Sequence, residues 1–308
     1  MNGTLTQRLE NLSPAKRILL EMKLKGKTAS FTESFSIPRR KNFGITPLSF
    51  NQESLLFMER LNPNTSIYNI YEAMRLTGSL NFDALQKTLD SIAARHESLR
   101  TAFTEIDGQS RQIIAPPQPV SIRVTDLLQS PSEKREQLAF EIMTAEVSRP
   151  MDLQQGSLFE VTLVKLAARE NFLLVKMHHI ISDGWSMGVF WKEFTHLYQN
   201  FSSGKMFALP ELPIQFGDYA VWSREQLEKN EARQIEYWKN QLQTAPALLE
   251  LPTDRARPAV KSYGGAQEIS LFPTKLRDGL KRISQQENAT LFMTLLTAFN
   301  VLLARYTG

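Results

Sequence analysis

Two hydrophobic periods alternate along the chain, and this alternation constrains the fold more than any other feature. Residues 81–95 place an apolar side chain at every third or fourth position, which is the spacing of a half-buried helix. Residues 158–166 and 172–177 are apolar runs of strand length on either side of a short turn. Because helical and strand patterns follow one another, we expect an α/β fold, built as an α+β sandwich.

The remaining elements follow from the same two periods. Helices are predicted at residues 49–60, 185–198, 225–242 and 290–306. Strands are predicted at residues 68–76, 99–103 and 111–115. The last of these helices is strongly apolar, and Gly308 stands where a glycine often caps a helix end.

Composition excludes several classes of protein. The chain has 308 residues, of which 42% are apolar, so it can bury one large core or two smaller ones. No apolar run approaches the ~18–20 residues that a membrane-spanning helix needs, so we expect no membrane association. The absence of cysteine excludes disulfide frameworks, thiolate metal sites and a cysteine nucleophile. It also suits the cytoplasm, where we expect the protein to act.

The positive charge of the chain is concentrated at its N-terminus. Residues 1–45 contain nine Lys and Arg against three Asp and Glu, whereas the whole chain has a net charge of +4. The rest of the chain is therefore close to neutral, and we expect no nucleic-acid partner. Residues 13–24 predict an amphipathic helix and residues 25–41 a linker. Residues 1–45 are thus either a solvated tail or a docking segment for a partner protein.

The residues that could carry chemistry cluster after the predicted strand 172–177, in residues 178–184 (HHIISDG). Successive strand side chains point to opposite faces, so we expect His178 and His179 to differ in role, one in packing and one in a cleft. Asp183 can cap the next helix or pair with a cation. Gly184 lets the backbone turn tightly and approach a ligand.

The same cluster excludes two common kinds of site. Adjacent strand histidines diverge and no H-E-x-x-H spacing is present, so we expect no metal site. No G-x-S-x-G segment marks a serine hydrolase. A histidine with an ordinary pKa of ~6.5 can instead act as a general base toward an amine or a hydroxyl. From the residues alone, a catalytic histidine and a structural one both remain open.

Residues 178–184 resemble the HHxxxDG signature of the condensation domains of nonribosomal peptide synthetases. Residues 95–103 (RHESLRTAF) match the RHExLRTxF segment of that family throughout. Residues 47–52 (PLSFNQ) are similar to its S-x-A-Q motif, with Asn51 in place of the usual Ala. Residues 216–222 (FGDYAVW) are similar to its Y-x-D-[FY]-A-x-W motif, with Phe in place of the first Tyr. The segments occur in the family's order and extend over nearly the whole chain.

The resemblance implies a chloramphenicol acetyltransferase-like lobe with only the start of a second, similar lobe. It implies a leader, linker or docking segment at residues 1–45, the motif-bearing lobe at 46–225 and the beginning of the C-terminal lobe at 226–308. In the family, the active site lies in a tunnel where the two lobes meet. Because residues 226–308 are only the opening of the second lobe, we expect the chain alone to form amides weakly or not at all.

The resemblance also implies roles for single residues. His179 would face the tunnel and accept a proton from the acceptor amine or position that amine, whereas His178 would pack behind the strand. Asp183 would hold the loop through a cation, and Gly184 would place a backbone N–H near the reacting groups. The RHESLRTAF segment would contribute supporting residues. They are Arg95, His96 and Arg100.

The implied reaction is amide formation. The amine of an aminoacyl group attacks the thioester carbonyl of an acyl or peptidyl group. Donor and acceptor carrier domains present both groups on phosphopantetheine arms. The chain itself would bind no cofactor directly, and the leader at residues 1–45 would contact an upstream synthetase. Two alternatives stay open: a free-standing HxxxD acyltransferase that uses acyl-CoA, and a carrier-docking remnant without catalytic activity.

Overall fold

Strands and helices are interspersed through residues 45–202, as the two hydrophobic periods predict. The computed structural model describes residues 36–42, 44–154, 158–256, 258–259, 266 and 268–307. The strands are β1 (Ile45–Pro47), β2 (Asn69–Thr77), β3 (Thr101–Ile106), β4 (Gln109–Ile114), β5 (Ile122–Asp126), β6 (Phe159–Ala167) and β7 (Glu170–His178). The helices are α1 (Phe50–Leu61), α2 (Phe82–Arg95), α3 (Ser132–Ser148), α4 (Gly184–Ser202), α5 (Phe216–Leu242), α6 (Thr274–Gln286) and α7 (Leu291–Thr307).

The strands form two sheets. The larger sheet has the order β2-β7-β6-β5, and the smaller one has the order β1-β4-β3. In the larger sheet β5 and β6 are parallel, and the other neighbours are antiparallel. Strands β2 and β7 pair so that Asn69 lies opposite His178. The end of β7, where the two adjacent histidines stand, is therefore held against the start of β2.

The two faces of the larger sheet bury two hydrophobic clusters. Leu163 and Leu173 belong to the larger cluster, together with apolar residues of α2 and α4. Val164 and Leu174 belong to the smaller cluster, together with residues of α3. Side chains one position apart on a strand point to opposite faces, which explains the division. The sheet is therefore the middle layer between two layers of helices.

Local sequence explains where the helices near the histidines begin. The side chain of Ser49 accepts a hydrogen bond from the N–H of Gln52, whose own side chain accepts from the N–H of Ser49. This reciprocal pair is a capping box, and it starts α1. Asn81 caps α2 by accepting from the N–H of Ala84. Both caps satisfy N–H groups that the first turn of a helix leaves without partners.

The structure departs from the sequence-based expectations at several elements. Strand β5 and helices α3 and α6 are present, although the sequence patterns do not predict them. Helix α3 buries only Ala139 and Met143, so its apolar side chains leave a weak periodic signal.

Helix α5 begins at Phe216 rather than at residue 225. The predicted strand 99–103 begins at Thr101, because Glu97–Arg100 form a 3₁₀ turn. The predicted helix 13–24 and the cap at Gly308 lie outside the described residues.

The described end of the predicted linker packs against the folded body. Arg39 donates hydrogen bonds to the carbonyl oxygens of Leu212 and Pro213, each at 2.8 Å. Arg40 is 7% exposed and is paired with carboxylates, which a residue of a solvated linker would not be. The last residues of the predicted linker are therefore attached to the folded body through these two arginines.

The described chain divides into two units, one ending at Glu231 and one beginning at Ala232. In the second unit, the hydroxyls of Ser284 and Thr294 lie 2.7 Å apart between α6 and α7. Helix α7 buries none of its residues within this unit. Within the described residues, no single helix has the length and apolarity to cross a membrane. Helices α6 and α7 meet that test only as a pair, and they are bent by 103°.

Candidate active site

The first histidine of the motif is buried. Strand β7 buries every side chain after its first residue, and His178 at its end is 1% exposed. Its Nδ1 accepts a hydrogen bond from the N–H of Ile180 at 3.1 Å, so the ring proton lies on Nε2. Burial lowers the pKa of His178 to about 4, and the neighbouring His179 adds to the shift. His178 is therefore a neutral ring that holds the turn after β7.

A glutamate of α1 lies beside this ring. The Oε2 atom of Glu59 is 3.9 Å from Nε2 of His178. Neither atom has a hydrogen-bond partner among the described residues. Burial raises the pKa of Glu59, because the charged carboxylate loses hydration. Sequence reasoning did not single out Glu59, since one polar residue on an amphipathic helix carries no signal of a buried partner.

The second histidine reaches the surface. The backbone N–H of His179 donates to the carbonyl oxygen of Tyr68 at 2.8 Å, and its side chain is exposed. Its Nδ1 lies 2.9 Å from the carbonyl oxygen of Ser182. A carbonyl oxygen can only accept, so Nδ1 carries a proton, and in the neutral ring Nε2 then keeps the lone pair. The neutral ring can therefore accept a proton or a hydrogen bond at Nε2.

The aspartate of the motif begins helix α4. The Oδ1 atom of Asp183 accepts from the backbone N–H and the hydroxyl of Ser186, at 2.8 and 2.7 Å. These hydrogen bonds lower the pKa of Asp183. Of the two roles that the sequence allows, the helix cap is the one seen. Within the part of the chain that the structure describes, no Lys or Arg lies at ion-pairing distance from Asp183.

Gly184 is the first residue of α4 and is exposed. A Cβ atom added at this position would meet no described atom within 4 Å. The N–H groups of a first helical turn have no partners within the helix. Open space therefore lies in front of the backbone at this end of α4.

His179 and Asp183 line an open cavity of about 450 Å³, with Gln52 and Phe216 also in its wall. This volume lies in the range of small-molecule sites. Another cavity of about 500 Å³, lined in part by Arg39, Arg95 and Asp218, contains none of residues 178–184. The smaller of these two cavities is the candidate active site, because His179 and Asp183 line it.

Two predicted supporting residues connect α2 to α4. The Nε atom of Arg95 is 3.1 Å from one carboxylate oxygen of Glu193, and Nε2 of His96 is 2.8 Å from the other. Glu193 belongs to α4 and is half-buried. Arg95 and His96 are not in the wall of the 450 Å³ cavity. They are brought close to each other rather than to His179.

The third predicted supporting residue lies at the 3₁₀ turn. Arg100 donates to the carbonyl oxygen of Ala115, and its guanidinium is 4.0 Å from the carboxylate of Glu97. Burial lowers the pKa of Arg100, and the attraction of Glu97 opposes that shift. Arg100 is also absent from the cavity wall that contains His179. It fastens the turn before β3 to the segment after β4.

Two residues of the first motif, Asn51 and Gln52, line the cavity, although sequence reasoning did not place them there. Gln52 is 3% exposed. Its Nε2 donates to the carbonyl oxygen of Ile180 at 3.3 Å and to Oε1 of Gln112 at 3.1 Å. The available signal was the similarity of residues 47–52 to a family motif. That similarity marks Gln52 without saying what it contacts.

The chain has long relatives among the nonribosomal peptide synthetases. It is 45% identical over 263 residues to one of the linear gramicidin synthase subunits of Brevibacillus parabrevis. It is 35% identical over 306 residues to phosphinothricin tripeptide synthetase PhsC of Streptomyces viridochromogenes. These matches cover 85% and 99% of the chain but only 5% and 28% of the two relatives. The chain therefore spans a small part of the length of the proteins it matches.

Solved structures share the fold. The X-domain from teicoplanin biosynthesis is 27% identical, with a TM-score of 0.75, and the match covers 89% of this chain and 60% of that one. The first condensation domain of the CDA synthetase is 20% identical, with a TM-score of 0.66, and the match covers 87% and 63%. The expected α/β fold of the chloramphenicol acetyltransferase type is confirmed. Because the family model of the condensation domain matches residues 42–308, the chain belongs to the condensation domain family.

Proposed function

We propose that this chain is the condensation part of a nonribosomal peptide synthetase and takes part in amide formation. The amine of a carrier-bound aminoacyl group attacks the carbonyl carbon of a carrier-bound acyl or peptidyl thioester. The C–N bond forms and the C–S bond breaks. The donor arm leaves as a thiol, which takes up the proton that the amine loses. The observation that carries the proposal is the hydrogen bond from Nδ1 of His179 to the carbonyl oxygen of Ser182, which leaves the lone pair of the neutral ring on Nε2, in a residue of the 450 Å³ cavity wall.

His179 acts at Nε2, either as proton acceptor or as hydrogen-bond acceptor for the amine. Its Nδ1–H is engaged by the carbonyl oxygen of Ser182 at 2.9 Å, which supports one tautomer and one ring orientation. General-base catalysis contributes ~10²–10⁴-fold, and alignment of two reactants can contribute more. We therefore expect loss of His179 to slow the reaction without abolishing it.

The other motif residues keep this arrangement in place. His178, neutral and buried, accepts from Ile180 and so holds the turn that carries His179. Asp183 caps α4, and the N–H of Gly184 is proposed to lie near the reacting groups. We propose that Arg95, His96 and Arg100 support the site from outside the cavity. That list of supporting residues follows the family resemblance and the ion pairs described above.

We propose the same organisation of the chain that the resemblance implies: a leader at residues 1–45, the motif-bearing lobe at 46–225 and the beginning of a second lobe at 226–308. The division of the described chain at Glu231 supports a boundary near residue 225. The contacts of Arg39 and Arg40 support a leader that is fastened to the lobe at its C-terminal end.

The proposed partners are the donor and acceptor carrier domains, whose phosphopantetheine arms bring both substrates. The relatives are far longer than this chain, which supports partners within the same assembly. We propose an upstream synthetase as the partner of the leader. No cofactor is proposed to bind directly. The cytoplasm is the proposed location, because the chain has no cysteine and the carrier arms work as free thiols.

The test compares His179→Ala with His196→Ala in the full-length protein that contains this chain. His196 is an exposed histidine on α4 outside the cavity wall, so it controls for loss of an imidazole. With donor and acceptor groups loaded on carriers, we expect amide formation to fall ~10²–10⁴-fold in His179→Ala. We expect the rate of His196→Ala to match that of the parent. Equal rates in all three proteins would remove His179 from the mechanism.

The same assay separates the two alternatives. An acyl-CoA donor that reacts as fast as the carrier-bound donor would favour a free-standing acyltransferase. Carrier binding without amide formation, in the parent as well as in His179→Ala, would favour a docking remnant. The condensation proposal predicts turnover with the carrier-bound donor and a much lower rate with acyl-CoA.

A further inference from the structure

In the turn that follows β7, both backbone polar groups of Ile180 form hydrogen bonds with side chains. The N–H of Ile180 donates to Nδ1 of His178 at 3.1 Å, and its carbonyl oxygen accepts from Nε2 of Gln52 at 3.3 Å. The side chain of Ile180 is itself buried, at 3% exposure. The two peptide groups that flank Ile180 are therefore both fixed, and the first of them joins it directly to His179.

The side-chain amide of Gln52 is fully used. Its Oε1 accepts from the N–H of Ser49 at 2.9 Å. Its Nε2 donates one hydrogen to Ile180 and the other to Oε1 of Gln112 at 3.1 Å. Because one end faces a donor and the other end faces two acceptors, only one orientation of the amide satisfies all three partners. Gln52, a member of the capping box that starts α1, thus also donates a hydrogen bond to the turn after β7.

The geometry of this turn determines which ring nitrogen of His179 carries the proton in the neutral side chain. The ring of His179 keeps its proton on Nδ1 because the carbonyl oxygen of Ser182 accepts it at 2.9 Å. Ser182 lies two residues beyond Ile180, so its carbonyl direction depends on the turn between them. A change at the carbonyl of Ile180 would therefore reach His179 through the backbone, without direct contact.

We propose that Gln52 is a positioning residue for His179. The hydrogen bond from Gln52 to Ile180 holds residues 178–182 in the conformation in which Ser182 accepts from Nδ1, so that the neutral ring of His179 carries its lone pair on Nε2. This inference rests on the proposed function of His179. It assigns to the first sequence motif a physical task in the candidate active site, namely to fix the tautomer of a histidine that it does not touch.

Gln112 offers a matched control. It is 2% exposed, it belongs to the same hydrogen-bonded group, and its Nε2 donates to the carbonyl oxygen of Pro47 at 2.8 Å. Gln112→Met removes a buried amide of the same size but leaves the donor of Gln52 that faces Ile180. Gln52→Met removes that donor. The two variants therefore separate the contact with Ile180 from the general loss of a buried amide.

The first measurement is the tautomer of His179 by ¹⁵N spectroscopy of histidine-labelled chain, in which only four histidines contribute signals. We expect the parent and Gln112→Met to hold the Nδ1–H tautomer. We expect Gln52→Met to show a mixture of both tautomers. Identical spectra in the parent and Gln52→Met, or the same change in both variants, would overturn the proposal. If Gln52→Met does not fold, Gln52→Glu replaces it, because an ionised glutamate can still accept from Ser49 but cannot donate to Ile180. The same spectral outcomes then support or overturn the proposal.

The second measurement is amide formation by the full-length protein with carrier-bound substrates. Loss of one hydrogen bond predicts a fall in kcat of up to about tenfold in Gln52→Met, with KM for the carriers unchanged. A rise in KM at constant kcat would contradict a positioning role. If the parent forms no amide while the tautomer still depends on Gln52, the proposed function fails and the positioning role stands.

Discussion

Arg40 and Asp218 form an ion pair that is almost fully buried, although 178 positions separate them in the sequence. Nη1 of Arg40 lies 2.8 Å from Oδ1 of Asp218, and the backbone N–H of Arg40 donates to the same oxygen at 3.2 Å. Another nitrogen of the guanidinium pairs with Glu97. The end of the predicted linker, the RHESLRTAF segment and the start of α5 therefore meet at one side chain.

We expect Arg40→Met to destabilise the protein by about 3–5 kcal/mol. The substitution leaves Asp218 buried without its cation, and an uncompensated buried charge is costly. Arg60→Met is the control, since Arg60 and its partner Glu105 are both more than half exposed and such pairs contribute about 0–1 kcal/mol. Urea unfolding of both variants measures the free energy of unfolding. Equal losses in the two variants would show that the buried pair contributes no more than a surface pair.

Two glycine-to-alanine substitutions in helices should have opposite effects. A Cβ added at Gly217 would lie 2.7 Å from Nη1 of Arg40, which is buried and paired and cannot easily move. A Cβ added at Gly188, inside α4, would meet nothing within 4 Å. Alanine favours a helix over glycine by about 1 kcal/mol, so Gly188→Ala should raise the melting temperature and Gly217→Ala should lower it. If both substitutions raise the melting temperature, the guanidinium of Arg40 can move to make room for the added methyl group.

His178 should make the stability of the lobe depend on pH between about 6.5 and about 4. The folded-state pKa is about 4 and the ordinary value is 6.5, so the unfolded chain takes up the proton first as pH falls. The stabilisation is complete above pH 6.5 and is lost as pH falls toward 4, by about 3 kcal/mol in total. Urea unfolding at several pH values measures it.

His178→Asn keeps an acceptor near the position of Nδ1 but cannot become charged. Its free energy of unfolding should therefore lack the component lost between pH 6.5 and 4. His196→Gln removes an exposed histidine and should keep the pH dependence of the parent. If His178→Asn and His196→Gln show the same pH dependence, the buried ring is not its source.

Asp183 should contribute to stability mainly as a helix cap. Asp183→Ala removes the acceptor for the N–H and hydroxyl of Ser186, and loss of such a cap costs about 0.5–2 kcal/mol. Asp183→Asn keeps an acceptor oxygen and should cost only a small part of that amount. Thermal unfolding at pH 7 measures both. A loss from Asp183→Asn as large as that from Asp183→Ala would show that the charge, and not the cap, is what stabilises α4.

The central part of the fold follows from local sequence. Strands β6 and β7 and helices α2 and α4 lie within a few residues of their predicted bounds, because each buries a continuous periodic set of apolar side chains. Strand alternation also predicts that two adjacent histidines differ in environment, and His178 is buried while His179 is exposed. These features depend on neighbours that are close in the sequence.

The features that local sequence does not reveal depend on distant partners. Arg40 belongs to a basic, polar run that is typical of a linker, and only the fold brings Asp218 and Glu97 to it. Gln52 is one polar residue at a helix start until Ile180 is placed against it. Helix α3 buries too few side chains completely for its period to be visible. A single sequence contains no record of which polar groups pair across such separations.

The turn after β7 also sets an order of events during folding. Strands β6 and β7 are neighbours in the chain, and a hairpin of this kind closes within microseconds. The contact between Gln52 and Ile180 joins residues 128 positions apart. The backbone hydrogen bond from His179 to Tyr68, the residue before β2, also requires that β2 has paired with β7. Long loops are closed late, because their entropy must be lost before the contact forms. We therefore expect the β6–β7 hairpin to form before the docking of α1 and β2 fixes the turn that carries His179.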